Sequence, residues 1–119
     1  MTVSLAVAAL MVAVPALRVP AHVDEVTIDN PHQWPASIEV TGQDRDGWVG
    51  VGTVGSESEH RFLEVVDQGG VWIFRFSYAG KAVELHVSAA RLERNDWQVP
   101  VPDEFAEALR TAGVPAPPP

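Results

Sequence analysis

The stretch from Gly69 to Ser88, GGVWIFRFSYAGKAVELHVS, can fold in few ways, and the rest of the chain has to be organised around it. In its first arm Trp72, Phe74, Phe76 and Tyr78 alternate with Val71, Ile73, Arg75 and Ser77. A period of two in a run of aromatic and β-branched residues predicts a β-strand, here with one almost wholly aromatic face. In the second arm Val83, Leu85 and Val87 alternate with Glu84, His86 and Ser88, which predicts a strand with one apolar and one polar face. The two arms fix each other's register. With Ala79-Gly80 as the tip of a two-residue turn, Phe76 falls opposite Val83, Phe74 opposite Leu85 and Trp72 opposite Val87. A slip of one residue would turn Leu85 to water. Gly80 supplies the positive φ such a turn needs. The hairpin is expected at the centre of an antiparallel sheet.

Shorter strands surround it. Residues 22–29 place Val26 and Ile28 on one face and end at the turn signal Asn30-Pro31. Ala36–Thr41 turns Ile38 and Val40 inward and Glu39 and Thr41 outward. A polar turn, Gly42–Gly47, leads to a strand at Trp48–Val54, where Gly50 and Gly52 mark a bulge or a close approach of backbone. Phe62–Val66 is a further strand. After the hairpin, Ser88 can cap a helical turn at Ala89–Arg94, and Trp97, Val99 and Val101 alternate again, with Pro100 confining them to an edge. A helix is expected over 103–112. Asp103 and Glu104 favour the positive end of its dipole, Pro102 suits its first position and Gly113 ends it, while Phe105, Ala108, Leu109 and Ala112 form one apolar stripe. The predicted fold is mostly β: an immunoglobulin-like antiparallel sandwich of about seven strands over residues 21–113, with the helix at its side or end. A smaller β-barrel is the alternative. Residues 114–119 read as a proline-rich tail, frayed or polyproline II.

At 119 residues, 46% of them hydrophobic, the chain can bury one real core and has room for one domain. The formal charge of −8 opposes binding to nucleic acid, since the eight Lys and Arg form no basic cluster. With no cysteine there is no disulfide, thiolate nucleophile or thiolate zinc ligand. Residues 3–17, VSLAVAALMVAVPAL, form an uncharged apolar run bounded by Arg18. A helix of that length falls short of the ~30 Å hydrocarbon core unless Val19–Ala21 and a snorkelling Arg18 extend it. The run is expected to be a membrane anchor, with a cleaved secretory signal and a buried core helix as alternatives. Under the first two, residues from about 21 onward lie outside the cytoplasm. The absence of Lys or Arg before Ser4 leaves open that the natural start lies upstream of Met1.

The motif matches are weaker than they look. Gly50-Val51-Gly52-Thr53-Val54-Gly55 satisfies GxGxxG, but dinucleotide binding also needs a preceding parallel strand and a following helix. The only helix signal downstream is a capping-box pattern, Ser56-Glu57-Ser58-Glu59. Asp44-Arg45-Asp46-Gly47 has the middle of a calcium loop. If Gly47 takes the invariant glycine position, however, Gly42 and Thr53 stand where the first and last oxygen ligands belong. The four histidines, His22, His32, His60 and His86, show no metal-site spacing, and no GxSxG elbow occurs. No catalytic, cofactor or metal residues are assigned, and no enzyme is expected. Of the four tryptophans, Trp72 and Trp97 are expected in the core. Trp34 and Trp48, with Asp44 and Asp46, are the candidate ligand contacts: an aromatic plate could stack on the apolar face of a sugar while carboxylates accept from its hydroxyls.

The apolar N-terminus, VDEVTIDNP, the DRDGW turn, the DQGGVWIFRFSYAG hairpin and a closing W-x-V-x-VP before a helix resemble a family of small, uncharacterised membrane-anchored β-domain proteins of high-GC bacteria. The likeness runs from about Val23 to Gly113. It implies a single-pass N-terminal segment and an extracytoplasmic β-domain, and it carries no activity and no catalytic residues. The expected function is that of a non-enzymatic, membrane-tethered module with an unidentified protein partner at the cell envelope. A small-ligand or glycan binder is the alternative.

Overall fold

The computed structural model describes residues 21–118, so the apolar run at 3–17 lies outside the described residues. Seven strands and two helices follow in the order β1 (His22–Asn30), β2 (Ala36–Gly42), β3 (Val49–Val54), β4 (Ser58–Val66), β5 (Val71–Tyr78), β6 (Lys81–Ser88), α1 (Ala89–Arg94), β7 (Gln98–Pro100) and α2 (Asp103–Thr111). They form a three-stranded sheet, β4-β1-β7, and a four-stranded sheet, β3-β2-β5-β6. One core cluster joins the two, drawing Val26, Ile28, Val65 and Val99 from the first and Ile38, Val40, Val54, Trp72, Phe74 and Phe76 from the second. The architecture is a β-sandwich.

The hairpin has the expected register, with Trp72 opposite Val87, Phe74 opposite Leu85 and Phe76 opposite Val83. Its turn needs positive φ at both central residues, and both have it: 50° at Ala79 and 79° at Gly80. Trp72, Phe74 and Phe76 are buried, and their rings run in a stacked row with centroids 5.8 and 6.2 Å apart. Among the described residues, Trp72 Nε1 is the one buried side-chain polar atom without a hydrogen-bond partner. That deficit costs about 1–3 kcal/mol, which the packing of the rings around it offsets.

One pairing departs from the expected antiparallel plan, since β7 lies parallel to β1, with Ile28 opposite Val99. A hairpin would force antiparallel pairing, but β7 reaches β1 from β6, a strand of the other sheet, through α1, so no turn fixes its direction against β1. Ser88 caps α1 as predicted, its Oγ accepting from Arg91 N at 3.2 Å. The chain leaves α1 through two left-handed residues, Asp96 (φ 54°) and Trp97 (φ 55°). Such a backbone is uncommon for tryptophan. It is held on both sides, because Trp97 N donates to Leu92 O at 2.8 Å and Trp97 O accepts from Thr27 N at 2.9 Å. The indole is thereby set edge-on to Trp72 at 5.2 Å.

β3 carries both features expected of its glycines. The register with β2 shifts between Ile38 and Glu39, leaving Val51 as the extra residue of a bulge. At Gly52 (φ 149°) an added Cβ would stand 2.6 Å from Phe62 Cε1, so the ring on β4 lies directly over this backbone. β4 starts at Ser58, four residues before the expected Phe62. The capping-box pattern at 56–59 therefore falls in a turn and a strand, not a helix.

α2 closes the fold. Pro102 is its N-cap and not its first helical residue, and Phe105, Ala106 and Leu109 are its buried residues, so the stripe is centred nearer Ala106 than the exposed Ala112. The end is a Schellman motif: Gly113 N donates to Arg110 O and Val114 N to Leu109 O, each at 3.0 Å, with Gly113 at φ 71°.

Candidate functional site

Of the four candidate contacts, Asp44, Asp46 and Trp48 share one loop. Gly42 O accepts from Arg45 N at 3.0 Å, and Asp44 Oδ1 accepts from Asp46 N at 3.1 Å, an Asx turn that occupies one carboxylate oxygen with the loop's own backbone. The loop folds back over the outer face of the four-stranded sheet, where Thr41 Oγ1 donates to Gly47 O at 2.6 Å. Thr41 was expected to face water. It does point outward, yet it is fully buried because its own loop covers it. Asp44 and Asp46 are exposed and Trp48 is half-buried.

The indole of Trp48 does not stand as a bare plate. Arg75 stacks on it with the guanidinium carbon 3.9 Å from the ring centroid, while its Nε and one terminal nitrogen reach Glu39 Oε1 at 3.1 and 2.8 Å. Arg45 is 6.0 Å from the same ring and forms a bidentate pair with Glu84, at 3.0 and 2.6 Å. His86 Nε2 lies 3.1 Å from Glu84 Oε1. The bonds from Arg45 first, and from His86 second, hold the Glu84 carboxyl down to about 2, and the same pair raises the Arg45 guanidinium above its ordinary value. The sequence reading missed Arg45, Arg75, Glu39 and Glu84. A signal was present, since the hairpin register sets Glu84 opposite Arg75 on the outward face, and Glu39 is the neighbour of Arg75 on the other side.

Trp34 belongs elsewhere, and its candidacy as an exposed contact is corrected by its 5% exposure. Asn30, itself fully buried, shapes the segment that carries it: Asn30 Nδ2 donates to Trp34 O at 2.8 Å and to Gly55 O at 2.9 Å, and its Oδ1 accepts from His32 N at 3.1 Å. The Trp34 indole Nε1 donates to Val114 O at 3.1 Å, and the Arg110 guanidinium sits 6.0 Å from the ring. The tail expected to fray is thus tied to the core at its first residue. A cleft of about 510 Å³ opens here between Pro31–Trp34, Ala106, Arg110 and Ala116. Within it His32 Nε2 lies 3.0 Å from Val101 O and 3.9 Å from Asp103 Oδ1, so its ring serves the junction of β7 and α2.

The histidines stay apart in function. His60 packs at a tilt against Phe62 with ring centroids 4.5 Å apart, and His86 and His32 have the partners given above. Among the described residues no three His, Cys, Asp or Glu side chains converge as a metal site, and no serine or threonine hydroxyl is bonded to a histidine. What this surface does chemically is hold charge in fixed, mutually neutralising pairs around one aromatic ring. Comparison with models of known protein families, with characterised proteins and with solved structures found no match.

Proposed function

We propose that the chain is a non-enzymatic interaction module, tethered to the cell membrane through residues 3–17, that presents its extracytoplasmic β-domain to a protein partner at the envelope. The observation that carries this reading is an unpaired strand edge. β6 pairs only with β5 among the described residues, so the other edge of its backbone has no strand partner, although both helices pack against this strand. The tether rests on the abrupt change from an uncharged apolar run to a chain that carries all the charge, and on the family resemblance. A secreted domain is the alternative location. Among the described residues no helix is long and apolar enough to cross a membrane.

The immunoglobulin-like assignment belongs to the same proposal. It rests on seven strands in two sheets of three and four, although β1 lies between β4 and β7 and not beside the second strand as in immunoglobulin domains. The rival function, a glycan or small-ligand binder, keeps Asp44, Asp46 and Trp48 but loses Trp34 to the core and one face of Trp48 to Arg75. Two measurements test the proposal. Membrane fractionation should recover the intact chain in the membrane, and photo-crosslinking there should give a discrete protein adduct. An intact chain in the soluble cytoplasm sinks the tether. Saturable quenching of Trp48 fluorescence by a cell-wall glycan, with no protein adduct, sinks the module in favour of the binder.

A further inference from the structure

The outer edge of β6 opens onto a groove lined by apolar residues with a histidine and an arginine on its rim. In a two-residue hairpin the pair flanking the turn, Tyr78 and Lys81, exchanges hydrogen bonds, and the exchange recurs at every second residue. Residues 81, 83, 85 and 87 therefore bond to β5, while the N–H and C=O groups of Ala82, Glu84 and His86 and the N–H of Ser88 point away from the sheet, the Ser88 carbonyl being taken up as the N-cap of α1. Beyond that edge lies a groove of about 220 Å³ that runs to β7 and α1. Its apolar wall is formed by Leu85 and Val87, half-buried on β6, with the buried Leu92 and Val99. Its rim carries His86 and Arg91, both exposed, and Arg91 has no carboxylate within ion-pair distance among the described residues. No aspartate or glutamate lines it, in a chain with 16 acidic residues. The nearest carboxylates are Glu84, 3.1 Å from His86 and paired with Arg45, and Asp29 and Asp96 in an adjoining depression that shares Asn95, Gln98, Val99 and Pro100 with the groove.

We propose that this groove receives an extended segment of a partner protein in which apolar and acidic residues alternate, added to β6 as a fifth strand of the four-stranded sheet. The inference rests on the interaction-module reading and names its surface. A strand laid along β6 turns every second side chain inward, onto Leu85, Val87, Leu92 and Val99, which calls for apolar residues. The side chains between them face outward along a rim whose unpaired charge, among the described residues, is Arg91, His86 being engaged by Glu84, and this calls for carboxylates. Glu84 on the same face would oppose an acid, but its charge is engaged by the bidentate Arg45. The free backbone groups supply affinity, and the alternation supplies selectivity.

The test uses the full chain in detergent micelles and two end-blocked hexapeptides, one alternating valine with glutamate and one alternating valine with lysine. The valine–glutamate peptide should give saturable amide shifts at Glu84, His86 and Ser88 and should bind more tightly than its lysine counterpart. Reversing one exposed charge, Arg91→Glu, should weaken it about three- to tenfold, with Arg91→Gln in between. Equal binding of the two peptides, or shifts away from β6, overturns the proposal. So does movement of the β6 amides with protein concentration alone, which would make a second copy of the chain the occupant. A photo-crosslinker at His86 separates this proposal from the reading beneath it. An adduct in membranes from His86 that Arg91→Glu diminishes supports both, and one that Arg91→Glu leaves unchanged overturns the groove. An adduct from Leu63 or Trp48 but not from His86 overturns the groove and leaves the module. No adduct from any of the three overturns both.

Discussion

Gly52→Ala tests how the two sheets are closed along the β3–β4 side. Two penalties are built into that position. The new Cβ would stand 2.6 Å from Phe62 Cε1 and 3.3 Å from Cδ1, so the ring must move. Phe62 is half-buried and can swing outward only by giving up its packing against the core, an overpacking cost of about 1–3 kcal/mol. The backbone is also held at φ 149°, where an L-residue is strained by about 1–3 kcal/mol. Alanine stiffens the unfolded chain, which returns about 0.4–1 kcal/mol. The net expectation is a loss of about 2–4 kcal/mol in urea denaturation with an unchanged m-value. A double-mutant cycle separates the penalties. In a Phe62→Ala background the steric part disappears and only the backbone part remains, so the same substitution should cost about 1–2 kcal/mol. A single-mutant loss below about 0.5 kcal/mol, or no coupling between the two sites, would falsify the close approach.

Two further outcomes are expected. Phe74→Ala removes a ring that is 1% exposed and stacked between Trp72 and Phe76, and should cost about 3–5 kcal/mol; a denaturation midpoint corresponding to less than 1 kcal/mol refutes the aromatic core. Glu84 should titrate near 2 by carboxyl NMR, below the ordinary ~4.3. Because its folded value is depressed, its contribution to stability is present above about pH 4.5 and fades as the pH falls toward 2. With the Glu84 side chain 31% exposed, salt should weaken that contribution. Arg45→Gln should return the carboxyl toward its ordinary range, and a wild-type midpoint near 4 would mean that the bidentate pair does not persist in solution.

The sequence was most legible where two signals constrained each other. In the hairpin, a one-residue slip would have exposed Leu85, so the turn and both faces followed together. β4 was half legible because it is an edge strand: Glu59, His60, Arg61 and Leu63 are all exposed, and a strand wet on both faces shows no alternation. Trp34 could not be placed from its neighbours, since it joins the core cluster and its indole is held by Val114 and flanked by Arg110, about 80 residues further along the chain. Thr41 was misplaced for a local reason, because alternation gives direction but not whether a loop will fold over a side chain. The ionic face was within reach, as the register already set Glu84 opposite Arg75. That Glu84 instead pairs with Arg45 depends on the left-handed turn at Arg45 (φ 56°), which charge spacing does not report.

The parallel seat of β7 beside β1 dictates an order of assembly. The four-stranded sheet is stitched largely from neighbours, and β5 and β6 meet across two residues. The three-stranded sheet joins the beginning of the described chain to its end by pairing Ile28 with Val99, and beside it the loop after β1 does the same, His32 reaching Val101 across 69 positions and Trp34 reaching Val114 across 80. Contacts so distant carry a loop-closure cost before they return any stability. No nascent fragment that stops short of β7 contains all three strands of that sheet. The domain is therefore locked by β7 and α2, the last of the described elements in chain order.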